Sequence, residues 1–366
     1  MSSGVVIDQW QTPEDAREAG WDALVGPEDF FLCPDWMRVL QDSAGAWMGY
    51  LTAQADSRAQ ADSRVLAALP MVRATRDSPW SLGRTDMLIR HCTEEGMDGA
   101  AEVLAGFGDV ERLMPSMMCG GRHLGRTRLL LRPGADAATA HRILERAERI
   151  ASREGCRSIC LPYVDASDRI QREVLGERGY LSHLSGQFAS LALPGEGFMD
   201  YALALPSRRS RRVRAERRHI EASGVEITLA PLDPADIPRL GALETELFAK
   251  YGMTSWDPKR SEAVLEAAAE RLGDRALVSR AVLDGSIVGF GLVLSHGDAW
   301  FAHRAGFDYG AVGKLPLYYE LLYYVLADHA PRHGVKTVHY GIGSTEAKVS
   351  RGCSLSAQYL YVKELG

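Results

Sequence analysis

At 366 residues the chain is too long for one ordinary core, and a prior of roughly 150 residues per domain suggests two. Hydrophobic content of 46% and charged content of 25% are those of a globular protein. A net charge of −6 gives no overall attraction to nucleic acid, no run approaches the roughly 18 apolar residues of a membrane span, and the N-terminus has neither the basic nor the apolar region of a signal peptide, so a cytoplasmic protein is expected.

The first half opens with helical sequence. A hairpin follows, WMGYLTAQ and RVLAALPMVRA, whose loop carries a tandem repeat, AQADSR at 53–58 and again at 59–64. Its small polar residues suit a lengthened, mobile loop with a neutral duplication. A strand is predicted over 127–132. The helix after it, 136–154, has Ala140, Ile143, Leu144, Ala147 and Ile150 at helical spacing and ends at Gly155. A strand over Ser158–Tyr163, a helix over 168–178 and the strand QFASLAL complete a β-α-β-α-β order.

The second half repeats the plan. Strand VEITLAPLD leads to helices over 234–250 and 258–271. Three antiparallel strands follow, with Asp284-Gly285 as a hairpin turn. Helix 316–332 has Pro316 in its first turn. Strand TVHYGIG, a loop STEAKVSRGCS and strand SAQYLYVKEL end the chain. The segments ASREGCRSICLPY and APRHGVKTVHYG correspond, which suggests two copies of one fold. The expected class is α/β with mixed sheets, and the expected domains are 1–198 and 225–366, joined by 199–224. Six cysteines are scattered without CxxC spacing, which predicts free thiols and no metal site.

The joining segment is LPSRRSRRVRAERRHIEASG. Arg208, Arg209, Arg211, Arg212, Arg214, Arg217 and Arg218 fall within eleven residues, opposed by Glu216 alone. Ser207 is a natural N-cap, and Glu221 to Gly224 supplies a stop. At 100° per residue the arginines surround the helix, leaving a stripe of Val213, the stem of Arg217 and Ile220 for a core. A solvated connector is one reading. However, like charges at i,i+3 and i,i+4 repel, and arginine suits phosphate geometry. The segment is therefore expected to track phosphates, on RNA or on a phosphorylated small molecule. No helix-turn-helix, zinc-finger or zipper pattern surrounds it, which argues against DNA.

LPSRRSRRVRAERR, then LFAKYG, then LPLYYELLYYVLADHAPRHGVKTVHYGIGSTEAKVSRG resemble a large bacterial group, as do CGGRHLGRTRLLLRPG and CRSICLPYVD before them. These are the tandem GNAT-fold, peptidoglycan-biosynthesis-like acyltransferases, kin to the Fem-type aminoacyltransferases. The resemblance runs from about Leu113 to the C-terminus. It implies two GNAT-like lobes with a basic helix near their junction, and acyl transfer to an amine. In Fem-type enzymes the donor is aminoacyl-tRNA and no ATP is used; other members of the fold use acyl-coenzyme A. Coenzyme-A-dependent members carry Q/R-x-x-G-x-G/A at a strand-to-helix turn, where backbone N–H groups hold the pyrophosphate. RAGFDYGAVGKLP, with Gly306, Gly310 and Gly313, is out of register with that motif, and Arg122 to Gly125 lacks its final small residue. Charged tRNA is thus the expected donor partner, a small-molecule amine the acceptor, and no cofactor is expected; acetyl-CoA is the alternative donor.

An aminoacyl ester is already activated, so one well-placed cation or amide is expected rather than a Ser-His-Asp triad. The densest polar run is His339-Tyr340-Gly341 through Ser344, Glu346, Lys348, Arg351 and Gly352, on a glycine-rich loop after a strand. The resemblance places a functional lysine-and-glycine ending here, matching Lys348 and Gly352. Lys348 is expected to stabilise the oxyanion or hold an acceptor phosphate, with Arg351 assisting. Relatives have an aromatic beside this lysine, where this chain has Ala347 and Val349. His303 either faces the pocket or is an ordinary strand residue. Tyr318, Tyr319, Tyr323 and Tyr324 build a helix face, with a substrate contact open to Tyr318 or Tyr319. Tyr251, Trp256 and Asp257 lie where GNAT folds tend to cover the acceptor; Asp257 or Glu246 is a candidate base, with water or the tRNA ribose as the alternative proton acceptor. The second lobe is the favoured seat of the site.

Overall fold

The computed structural model describes residues 5–55, 64–121, 125–253 and 256–366. Along the first half run β1 (Val5–Trp10), α1 (Pro13–Glu18), α2 (Pro34–Ala44), β2 (Met48–Ala55), β3 (Val65–Ala74), α3 (Thr85–Glu94), α4 (Ala100–Phe107) and β4 (Ser116–Cys119). Then come β5 (Leu130–Leu131), α5 (Ala137–Arg153), β6 (Ser158–Asp165), α6 (Arg169–Glu177) and β7 (Leu181–Ala192). The second half has α7 (Phe198–Ala204), α8 (Ser207–Glu221), β8 (Glu226–Pro231), α9 (Ile237–Lys250), α10 (Pro258–Leu272), β9 (Ala276–Leu283), β10 (Ser286–His296) and β11 (Ala299–Phe307). It ends with α11 (Tyr309–Val312), α12 (Leu317–Tyr319), a π-helical turn (Glu320–Tyr324), α13 (Val325–His329), β12 (Thr337–Gly341), α14 (Thr345–Ser350) and β13 (Ser354–Glu364).

Two compact units result. One comprises Met1–Gln41, Gly45–Phe188 and Ser356–Gly366; the other comprises Asp42–Ala44 and Ala189–Leu355. The first unit's strands lie in the order β1-β2-β3-β4-β6-β13, with β5 beside β3. The second unit's lie in the order β8-β9-β10-β11-β12, followed by the end of β7 over 189–192. Within each set one neighbouring pair is parallel, β4 with β6 and β11 with β12. Parallel neighbours need a crossover, and helices supply it: α5 in the first unit, and α12 to α13 in the second. The two units therefore repeat one plan. The division differs from the expected 1–198, 199–224 and 225–366. The arginine helix α8 lies within the second unit, and the last strand closes the first unit's sheet by pairing with β6 from Gln358 to Glu364.

Local chemistry explains most elements. The apolar stripe predicted for α5 is buried, from Ala140 to Ile150, and Asp136 caps its N-terminus through Thr139 N at 2.9 Å. Asp284 and Gly285 both have positive φ, 49° and 77°, as a two-residue hairpin turn demands. All eight residues of β6 are buried, as expected of a strand paired on both sides under helices.

Four expectations change. Strand β1 precedes the helical opening. The strand predicted over 127–132 shrinks to Leu130–Leu131, because Thr127 N bonds Tyr163 O and Arg128 N bonds Gly120 O instead of running as a ladder. Helix 316–332 is interrupted by the π turn. The loop after β12 winds into α14. The tandem-repeat loop, over 56–63, lies outside the described residues, as do Arg122 to Leu124 of the glycine-containing near match. The six cysteines are buried, and no helix among the described residues is long and apolar enough to cross a membrane.

Candidate functional site

The basic helix α8 runs as predicted, but Pro206 rather than Ser207 stands at its N-cap, and Ser207 is its first helical residue. Ser210, Val213 and Ile220 are its buried side chains. The structure sorts the seven arginines. Arg217 turns inward: its guanidinium carbon lies 4.3 Å from the Phe198 ring centre, and Nη2 donates to Asp328 at 2.8 Å. Its Nε lies 3.6 Å from Glu320 Oε1. Arg209 Nη1 donates to Val349 O at 3.0 Å, Arg212 Nε to Glu216 at 2.8 Å, and Arg214 Nε to Ser210 O at 3.3 Å. Arg208, Arg211 and Arg218 are exposed, and their side chains form no hydrogen bond or ion pair among the described residues. At 100° and 1.5 Å per residue these three share an arc of about 80° opposite the core stripe and span about 15 Å. The encirclement expected from sequence therefore reduces to one stripe of free guanidiniums.

Glu216, the one acid among these arginines, is half-buried and holds the helix to the segment after β12. Arg351 is 1% exposed, and its Nη2 donates to both Glu216 oxygens at 3.0 and 2.8 Å. Arg351 Nε donates to the Tyr324 hydroxyl at 2.9 Å, and its carbon sits 3.5 Å from the Tyr319 ring centre. Tyr324 in turn donates to Glu216, and Tyr201 donates to Arg351 O at 3.0 Å. Burial works against the charge of Arg351, but Tyr324 and Glu216 hold its pKa above the usual value.

Lys348 is also buried, at 4% exposure. Its Nζ donates to the carbonyls of Tyr340, Gly341 and Ile342 at 2.7, 3.0 and 2.8 Å. An ammonium has three N–H groups, and all three are taken. Burial pushes its pKa down to about 8, while the three carbonyls favour the ammonium that alone can serve them. The turn these bonds close needs left-handed backbone at Gly341, Gly343 and Ser344, with φ of 65°, 79° and 46°. Gly352 is required differently: a Cβ there would meet Leu205 at 2.8 Å, and its φ is 91°.

The other expected site residues separate. Tyr340 stacks on Tyr323 at 4.3 Å and His339 lies 4.8 Å from Phe301, ring centre to ring centre. Tyr318 and Tyr319 are half-buried and meet edge to face at 5.3 Å, while Tyr323 and Tyr324 are core. His303 is half-buried on β11. Glu346 and Glu246 are exposed on α14 and α9. Tyr251 is 70% exposed. Trp256 packs on Phe248 and donates to Ser261 at 3.0 Å, and Asp257 caps α10 by accepting from Lys259 N at 2.9 Å. Asp257 is thus occupied as a helix cap rather than placed as a base. The sequence reading missed the pair of half-buried Arg304 with buried Glu244, 2.6 Å apart; an arginine on the predicted strand and a glutamate on the predicted helix were its only signals.

In each unit an aspartate fills a helix start: Asp136 opens α5 after β5, and Asp308 opens α11 after β11. Asp136 accepts from Thr139 N and Thr139 Oγ1 at 2.9 and 2.8 Å. Asp308 accepts from Ala311 N at 2.9 Å and from Arg239 at 3.0 Å. Those backbone N–H bonds, first of all, hold both carboxyls below the usual range. Among the described residues, no group of three or more His, Cys, Asp or Glu could hold a metal ion.

The family described as FemAB-like, peptidoglycan biosynthesis/recognition, matches residues 124–362. The chain belongs to the FemAB-like family. Its class is acyltransferase. The fold agrees. FemX superposes with a TM-score of 0.64 at 10% identity, over 97% of this chain and 96% of that one. A tandem GNAT protein from the clavulanic acid biosynthesis pathway gives 0.56 at 13% identity, over 99% of each chain. The C-terminal domain of a lysylphosphatidylglycerol synthetase from Agrobacterium fabrum gives 0.53 at 10%, over 96% of this chain and 92% of that one. No curated protein sequence matches. Within this FemAB-like chain, the Lys348 ammonium closes a turn and the Arg351 guanidinium anchors α8.

Proposed function

We propose that this FemAB-like acyltransferase takes its acyl group from an aminoacyl-tRNA and passes it to an amine without ATP. The observation that carries this reading is the stripe of Arg208, Arg211 and Arg218, three unpartnered guanidiniums aligned on one helix face. Such a row suits successive phosphates of a nucleic-acid backbone. The acidic cap Asp308 supports the same donor. It takes a helix-start N–H in the glycine-containing turn after β11, and its negative charge repels the pyrophosphate that coenzyme A would place there.

The reaction is aminolysis of an ester. The amine nitrogen forms a bond to the aminoacyl carbonyl carbon, the ester C–O bond breaks, and the ribose oxygen leaves with a proton from the amine. The ester is activated already, so alignment supplies much of the rate. Lys348 contributes as a positioning residue, by fixing the turn 341–344, and Arg351 by fixing α8 against the segment that holds that turn.

Filter retention of charged tRNA tests the reading. Changing Arg208, Arg211 and Arg218 to glutamine should reduce retention more than tenfold. Unchanged retention would count against the stripe. Failure to consume charged tRNA above background hydrolysis, across a panel of amines, would overturn the function.

A further inference from the structure

Beside α8, away from its arginine stripe, a cleft of about 190 Å³ opens within the second unit. Arg217 and Glu221 of α8, Ile227 of β8, Glu320 of the π turn, and Val325 and His329 of α13 line it. Glu320 is 2% exposed, and its Oε2 has no hydrogen-bond partner among the described residues. A buried carboxylate oxygen left so is costly, and it is satisfied by a proton or by a donor that the cleft admits. A π turn inside an α-helix is itself common at functional sites.

The local charges decide which donor. Three carboxylates, Glu221, Glu320 and Asp328, meet the guanidiniums of Arg217 and Arg332. His329 adds no charge at neutral pH, since burial lowers its pKa; His333 lies close to it. With Glu320 ionised, one negative charge is left over, which suits a monovalent cation. Ile227 and Val325 offer an apolar wall, which suits a short alkyl chain.

We infer that this cleft is a binding site for a small primary aliphatic amine, whose ammonium donates to Glu320 Oε2 while its alkyl chain lies on Ile227 and Val325. The inference rests on the cleft alone and stands whatever the acyl donor is. Burial, partly offset by Arg217, pushes Glu320 up to about 7, with Glu221 and Asp328 adding to the rise. Amine binding favours the ionised form, so affinity should rise as pH increases from 6 to 8.

The test is calorimetric titration of the full chain with n-butylamine and, separately, n-butanol, in the absence of tRNA. The expected result is saturable one-to-one binding of the amine, at least tenfold tighter than the alcohol. Glu320→Gln should weaken amine binding at least tenfold and abolish its rise with pH, and Val325→Phe should block the cleft. Equal binding of amine and alcohol, or no saturable amine binding, overturns the site. Should Glu320→Gln fail to fold, the amine-to-alcohol ratio on the unaltered chain still decides.

Discussion

Lys348 shows how a residue's chemistry follows from where its hydrogen atoms point. Three carbonyls, from residues six to eight positions earlier, accept all its N–H groups. Replacing it with methionine keeps the stem but leaves those carbonyls without their donor, at a cost of about 3 kcal/mol. We expect urea unfolding of Lys348→Met to show that loss along with reduced activity. A lysine acting only on substrate would lose activity with stability intact. Arg351 is a similar case. Its guanidinium meets Glu216, Tyr324 and the Tyr319 ring, so Arg351→Lys should destabilise by about 2 kcal/mol, since an ammonium cannot reproduce a planar fork. Sequence marked both residues through a dense polar run and a family pattern. It could not show that they face inward, because burial depends on a turn built from left-handed residues and on Glu216, 135 positions from Arg351.

At the scale of the element, α8 combines two jobs on opposite faces. Val213, Ile220 and the Arg217 stem were legible as its core stripe from periodicity alone. Which arginines are free was not legible, because the groups that occupy Arg209 and Arg217 come from Val349 and Asp328. The two classes should separate in experiment. Glutamine at Arg208, Arg211 and Arg218 should flatten the salt dependence of tRNA binding, lowering its slope by about 2–3 with melting temperature unchanged. Arg217→Gln should lower the melting temperature and leave that slope alone. The π turn adds a pH signature. Glu320 has a folded-state pKa of about 7 against an ordinary value of 4.5. The folded chain therefore holds its proton more tightly, so this group's stabilising contribution is full below about 4.5 and is lost as pH rises through about 7. Glu320→Gln should remove that fall. Its melting temperature relative to the unaltered chain should be higher at pH 8 than at pH 5, and a pH-independent difference would contradict the assignment.

For the whole molecule, duplication was legible and its boundary was not. Two segments with a basic residue and glycine before an apolar strand revealed the repeated plan, because each ends a crossover helix in front of the strand that forms the parallel pair. Periodicity identifies strands but not their neighbours. Strand β13 follows the second unit's elements in sequence, yet it pairs with β6, and Tyr361 joins the core of the first unit. This predicts an effect that chain order would assign to the wrong half. Val362 is fully buried and stands opposite Cys160 of β6. Val362→Ala should cost about 2 kcal/mol, and the loss should appear as faster amide exchange in β6 and its neighbour β4. Strands β10 and β11 should keep their protection, since their partners lie in the second unit. A chain divided at residue 225 would show the reverse, because 225–366 would then loosen as a block. The exchange pattern therefore tests the division directly: the first unit depends on the last strand made.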